Sequence, residues 1–309
     1  MAKFSPSDAA FSGFALVKER PGAVAAWAVA LLVFSAAIWA LMIGLGLPTA
    51  IQTIWPQGPN THDPAVARKA IQTLLPIQGG LLLLELVFYP ILISAILRTF
   101  LDSRRRPFGG LRLGADELRM LWMIIRMCFV FWVIELISIV AAVVVGVLIV
   151  ILLTAAHSPA ILASLAHTLV LLLVFGWLFY VMVRFSLAIV VTAAEKRRGL
   201  RRSWLLTKGH FWSLFGAYIL TFFIVMACEA VIIAVMLWIV GMGLIFTHVG
   251  LLDAFKALLN PGSNPTIAAL FLVGNVALVW FGAALFAVMF GPSVAAYRAF
   301  SASSKSDAV

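Results

Sequence analysis

Met127-Cys-Phe-Val-Phe-Trp-Val-Ile-Glu135-Leu-Ile-Ser-Ile-Val-Ala-Ala-Val-Val-Val-Gly146-Val-Leu-Ile-Val-Ile-Leu-Leu153 is a run of 27 residues with one charged side chain, Glu135. As a helix it would reach about 40 Å, at roughly 1.5 Å per residue. That exceeds the roughly 30 Å of hydrocarbon in a bilayer, which about 20 apolar residues can cross. The run shows no period-two alternation, and a barrel strand needs only about 9–11 residues, so the strand reading fails. Five further runs share its character: Gly22–Leu47, Leu75–Leu97, Leu165–Val191, Leu214–Met242 and Thr266–Val294. The first is too long for a signal-peptide core and follows a lead containing Phe11 and Phe14, so it is expected to remain as a span.

The whole composition agrees with these six runs. Of 309 residues, 64% are apolar and 11% are charged, and mean hydropathy is +1.11. Soluble domains run at roughly 45–50% apolar and about 25% charged. The expected fold is therefore all-α: a polytopic membrane protein of six transmembrane helices plus interfacial amphipathic helices. It forms one domain over residues 1–300, followed by a disordered cytoplasmic tail over 301–309.

The basic residues set an orientation. The chain carries 22 Lys and Arg against 12 Asp and Glu, a net charge of +10. With the N-terminus inside, Lys3, Lys18 and Arg20 lie inside, as do Arg98, Arg104, Arg105, Arg106, Arg112, Arg119 and Arg126. Arg184, Lys196, Arg197, Arg198, Arg201, Arg202, Lys208, Arg298 and Lys305 join them. Only Arg68, Lys69 and Lys256 fall outside. This is a strong positive-inside bias. It places both termini in the cytoplasm and the chain in a bacterial inner membrane.

Short amphipathic helices are expected before each odd-numbered span. Ser7 or Asp8 is placed to cap one carrying Phe11, Phe14 and Ala15. Asp116 is placed to cap a second, with Leu118, Leu121 and Trp122. A third over Arg197–Lys208 sets Leu200, Trp204 and Leu205 beside Arg198, Arg201 and Arg202, apolar side chains in the acyl boundary and cations among headgroups. Leu251, Leu252, Phe255, Leu258 and Leu259 follow the spacing of a surface-lying helix outside. The pattern divides the chain into three similar two-span units. Phe14-Ala-Leu-Val-Lys18 echoes Trp204-Leu-Leu-Thr-Lys208 at matching places in the first and third.

Charged groups inside a membrane are costly, by roughly 2.5–3.5 kcal/mol at the centre on insertion scales. Glu85, Glu135, Arg184 and Glu229 are the candidates. Glu135 and Arg184 lie at similar depths on two spans joined by a short loop, so a pair or a shared hydrogen-bond network is expected. Glu85 and Glu229 lie nearer the middle or outer half, with no cation at their depth. As a set these groups read either as a proton or cation relay lining a polar cavity, or as hydrogen-bonding glue between helices, the role that suits Gln78 and Asn275. Pro90 and Pro292 are placed to kink spans two and six.

Catalytic and nucleotide motifs are missing: no Walker loop, GxSxG, HExxH or dinucleotide-binding GxGxxG occurs. No catalytic residue, cofactor or metal is expected. His62, His157, His167 and His248 read as scattered outer-side residues, and Cys128 and Cys228 as packing residues. Nucleic acid is not an expected partner, because no soluble domain shapes a groove.

Arg201-Arg-Ser-Trp-Leu-Leu-Thr-Lys-Gly209-His-Phe-Trp-Ser-Leu-Phe215, with Arg184-Phe-Ser-Leu-Ala188 before it and Val294-Ala-Ala-Tyr-Arg298 near the end, resembles a pattern in bacterial six-span proteins of unknown function. These include the membrane domain of membrane-anchored glycerophosphodiester phosphodiesterases. In those enzymes the chemistry belongs to an attached soluble domain, so the resemblance implies a six-helix module and no catalytic residue. The expected function is non-enzymatic: lipid contact or association with a membrane-protein partner. Arg104, Arg105, Arg106, Arg197, Arg198, Arg201 and Arg202 would meet anionic headgroups. The alternative is a transporter or permease using the intramembrane Glu and Arg residues.

The orientation is open to direct measurement. In a chain with Cys128 and Cys228 replaced by serine, Arg201→Cys is expected to resist an impermeant thiol reagent in intact cells, and Lys69→Cys to be labelled. Labelling at position 201 without permeabilisation would reverse the topology.

Overall fold

A computed structural model describes residues 4–47, 64–102, 104, 107–157, 159–197, 199–250 and 264–306. The elements are α1 (Pro6–Glu19), α2 (Pro21–Gly44), α3 (Pro64–Leu101), a 3₁₀ turn (Pro107–Gly110), α4 (Ala115–Ala155), α5 (Ala160–Phe185), α6 (Ala188–Glu195), α7 (Gly199–Leu206), α8 (Phe211–Thr247) and α9 (Pro265–Ser306). No strand occurs among the described residues. Six helical segments are long and apolar enough to cross a membrane, and they correspond to the six runs read from sequence. Their side chains face outward as much as inward: Phe129, Val140, Val144, Leu148 and Leu152 of α4 are all exposed. A continuous apolar surface of this kind is stable only against hydrocarbon. The protein is an all-α polytopic membrane protein.

The chain divides into two compact units. The first holds Met1–Ala9, Gly114–Ile219 and Pro292–Val309. In it α4 packs along α5, and α6 lies against α7. Its core is Val183, Leu187, Val191, Leu206, Leu214 and Phe300. The second holds Ala10–Leu113 and Leu220–Gly291. There α2 and α3 enclose a fully buried Trp27, and Phe34 stacks on Phe88 with ring centroids 4.1 Å apart.

Within the second unit the 3₁₀ turn is locked onto two spans. Trp27 Nε1 donates to the Gly109 carbonyl at 2.9 Å, Thr99 Oγ1 to the same oxygen at 3.4 Å, and Arg98 Nη1 to the Gly110 carbonyl at 2.6 Å. Gly109 and Gly110 have φ of 62° and 77°, which favours glycine. A Cβ on Gly109 would also sit 2.9 Å from the Ala23 carbonyl oxygen.

A contact of the same kind recurs in the first unit. Gly110 faces Ala95 and Thr99, four residues apart on α3, with Thr99 Oγ1 donating to the Ala95 carbonyl at 2.9 Å. Gly199 faces Ala188 and Thr192, again four residues apart, with Thr192 Oγ1 donating to the Ala188 carbonyl at 2.8 Å. A related approach joins α1 to α9, where a Cβ on Gly13 would fall 2.5 Å from Val288 Cα. The short helices themselves also match. Ala9, Gly13 and Leu16 are buried along α1, and Gly199, Ser203 and Leu206 along α7. Both sets have spacing i, i+4, i+7, in the register of the Phe14–Lys18 and Trp204–Lys208 echo. Small residues let helix backbones approach closely.

Several local expectations change. At α1 the cap is Ser5, whose Oγ accepts from the Asp8 amide at 3.4 Å. Pro6 takes the first helical position, for which its fixed φ is suited, so neither Ser7 nor Asp8 caps. No separate helix starts at Asp116: α4 is continuous from Ala115 to Ala155, since Ala115–Arg126 contains no glycine or proline to interrupt it. Asp116 instead pairs with Arg119 at 3.0 Å. On α7 Leu205 is exposed, as the interfacial reading has it, and the face packed inward is Gly199, Ser203 and Leu206. Pro90 and Pro292 both lie inside unbroken helices. The final helix reaches Ser306, into the stretch read as a tail. The Leu251–Leu259 helix and His62 lie outside the described residues.

Gly199→Ala would drive a methyl group into the Ala188 backbone. It is expected to destabilise the protein by about 1–3 kcal/mol, as core overpacking does. Gly22→Ala, which has open space at its Cβ, is the matched control. Thermal unfolding in detergent measures both.

Candidate functional site: the break in span four

Span four does not run straight through. Helix α5 stops at Phe185 and α6 begins at Ala188. The interruption frees carbonyls that a continuous helix would satisfy. Ser186 takes the first, with both its amide (3.3 Å) and its Oγ (2.8 Å) donating to Val183 O. The Arg184 carbonyl is taken by α7 and the residue after it: Ser203 Oγ donates at 2.8 Å, and Thr207 Oγ1 lies at 3.2 Å, its hydroxyl shared with the Ser203 carbonyl at 2.9 Å. Both hydroxyls are fully buried.

The same short helix covers the Arg184 side chain. Arg184 is only 4% exposed. Its guanidinium carbon lies 4.4 Å from the centroid of the Trp204 ring and 5.8 Å from that of Tyr180. Trp204 also packs on Phe185 at 5.3 Å and on Tyr180 at 6.2 Å. Phe131 of α4 meets Phe185 edge-on at 5.9 Å, and Tyr180 meets Phe211 at 5.2 Å. The result is a cation against two rings, Trp204 and Tyr180, backed by further aromatic side chains. Cation–π contact of this kind is worth about 0.5–1 kcal/mol when exposed and about 2 when desolvated. It provides no hydrogen-bond acceptor in the plane of the guanidinium. Nε is buried with no acceptor.

The expected Glu135–Arg184 pair does not form. Although α4 and α5 are neighbours, Glu135 is on the exposed side of α4. Ser138, one turn further, is the buried polar residue there, and its Oγ bonds back to the Ile134 carbonyl at 2.7 Å. Matching depth brought the helices together but did not set their rotation. Glu85 and Glu229 are exposed too, and among the described residues no hydrogen bond or ion pair joins any two of Glu85, Glu135, Arg184 and Glu229. Asn275 does act as glue, its Oδ1 accepting from Ser35 Oγ at 3.4 Å. Gln78 is exposed. Among the described residues no three His, Cys, Asp or Glu side chains converge as a metal site would require.

Of the basic clusters, Arg104, Arg197 and Arg201 are exposed. Arg202 is partly so and approaches Glu195 at 3.6 Å. Glu195 also accepts from the Tyr297 hydroxyl at 3.4 Å. Arg105, Arg106 and Arg198 lie outside the described residues. The roles of Ser203, Trp204 and Thr207 toward Arg184 were not visible beforehand. Their signal was the run of small and hydroxyl side chains on a short basic helix directly after a span. Comparison of the chain with protein-family models, curated proteins and solved structures returned no match.

Removing the hydroxyl donors should strand the Arg184 carbonyl. Ser203→Ala combined with Thr207→Val is expected to lower stability by about 1–3 kcal/mol, the penalty of an unsatisfied buried acceptor. Arg201→Ala, on the exposed side of the same helix, should leave it nearly unchanged. Unfolding midpoints in one detergent give the comparison.

Proposed function

We propose that this chain is a non-enzymatic, multi-pass protein of a bacterial inner membrane, with both termini cytoplasmic, that acts through contact with anionic lipid headgroups or through association with other membrane components. One observation carries the reading. The short connecting elements are held firmly against the spans, yet they turn cations and large apolar side chains outward together. Phe108 and Leu113 are 80% and 81% exposed, next in sequence to the exposed Arg104 and Arg112. Leu205 and Trp212 are exposed beside Arg201 and Lys208. A surface that inserts apolar groups at the acyl boundary and sets cations among headgroups combines these features. Each cation near an anionic surface contributes about 1 kcal/mol.

The transporter alternative has less support. It needs the intramembrane Glu and Arg side chains around one polar cavity, and none of the four is bonded to another among the described residues.

Proteoliposomes containing brominated phosphatidylglycerol or brominated phosphatidylcholine test the lipid reading through quenching of tryptophan fluorescence. The native chain should favour the anionic lipid severalfold. Replacing Arg104, Arg105, Arg106, Arg197, Arg198, Arg201 and Arg202 with glutamine should abolish that preference. An unchanged preference would count decisively against surface lipid recognition.

A further inference from the structure

We propose that Arg184 is the anchor of a discrete binding site for one phosphate group, separate from the exposed basic clusters. The inference rests on the chain being a lipid-contacting membrane protein, and it deepens that reading by giving one lipid or one anion a defined seat.

The reasoning begins with what the guanidinium lacks. Arg184 is more than nine-tenths buried, and a buried cation needs a counter-charge or a full set of hydrogen bonds. It has neither. Among the described residues no carboxylate pairs with it and no acceptor is bonded to its guanidinium. Glu135 faces away, and Glu195 is engaged by Arg202 and Tyr297. Trp204 and Tyr180 stabilise the charge by cation–π contact but offer its N–H groups no acceptor. A guanidinium carries paired N–H donors that fit a phosphate or carboxylate in two parallel hydrogen bonds. An acceptor supplied from outside the chain would complete the arrangement.

Two further observations point to phosphate. Arg184 lies at the last turn of α5, in the half of the fourth span that leads to the basic α7, on the side whose phospholipid headgroups are the abundant anions. And α7 with the residue after it already supplies everything else the position needs. Ser203 and Thr207 satisfy the backbone carbonyl and Trp204 covers the charge, so the guanidinium N–H groups are not required for packing. The phosphate belongs either to a membrane phospholipid or to a free anion, and the two sources can be separated.

The test uses the delipidated full chain in neutral detergent. The probes are phosphatidylglycerol, a fatty acid and inorganic phosphate alone, read by native mass spectrometry and by the shift in unfolding midpoint. One phosphatidylglycerol should bind each native chain saturably, with the fatty acid much weaker. Arg184→Gln should weaken binding about tenfold or more. Arg184→Lys, which keeps the charge but loses the planar fork, should fall between and covers the case in which the glutamine variant does not fold. A midpoint shift by inorganic phosphate alone, lost in the Arg184 variants, assigns the site to a free anion; a shift by phosphatidylglycerol only assigns it to a headgroup. Glutamine substitution of the exposed clusters should leave this single site intact, so its failure and that of the surface reading are distinguishable. Absence of saturable binding, equal affinity for the fatty acid, or unchanged binding in both Arg184 variants would overturn the proposal.

Discussion

Hydrocarbon offers no hydrogen-bond partner to a peptide group, and each unsatisfied one costs several kcal/mol. That constraint makes every span a helix, and it makes the interruption at Ser186–Leu187 the position on which the first unit's arrangement turns. Once α5 ends, the Arg184 carbonyl must find donors, and they come from Ser203 and Thr207. For those hydroxyls to arrive, α7 must lie almost backbone to backbone with α6. Gly199 permits that approach at Ala188 and Thr192. Trp204 is then carried onto the guanidinium as a consequence. The break, the glycine, the hydroxyls and the aromatic contact are one linked solution.

Much of the architecture could be read from residues alone. Six runs of apolar side chains, each long enough to cross a bilayer, leave little choice of fold. What composition could not convey was rotation about each helix axis. In a soluble protein the apolar stripe marks the buried face. In a membrane protein lipid accepts apolar side chains as readily as the core does, and the stripe loses its meaning. Leu205 is exposed while Gly199 and Ser203 beside it are buried, the reverse of what hydrophobicity alone would rank. The same loss explains Glu135. Its depth was estimated from position along the helix, but its direction depends on the angular position, and Ser138 rather than Glu135 faces inward.

Smallness carried the information that hydrophobicity did not. Ala9, Gly13 and Leu16 on α1 and Gly199, Ser203 and Leu206 on α7 share burial and spacing. Gly110 against Ala95 and Thr99 repeats Gly199 against Ala188 and Thr192. A short sequence echo between Phe14–Lys18 and Trp204–Lys208 is weak taken alone, because apolar helices resemble one another. Coincident burial and a coincident glycine contact are harder to obtain by chance, since each needs a particular side chain at a particular angle. In this chain the recurring object is the joint between a span and the connecting segment docked on it, more than the span itself.

The arginines fall into two physical classes, and the division follows from solvent. Arg104, Arg197 and Arg201 keep their exposure, so their charges are screened and individually weak. Arg184 has given up nearly all of its solvent. The effective penalty for burying an ion is several kcal/mol even after relaxation, and contact with Trp204 and Tyr180 returns only about 2 of that at most. A residue whose sole task was packing would be better served by an apolar side chain of similar volume, which often matches or exceeds the stability of a buried ion pair. Among the described residues nothing offsets the rest of that cost, which is the physical ground for the phosphate site proposed at Arg184.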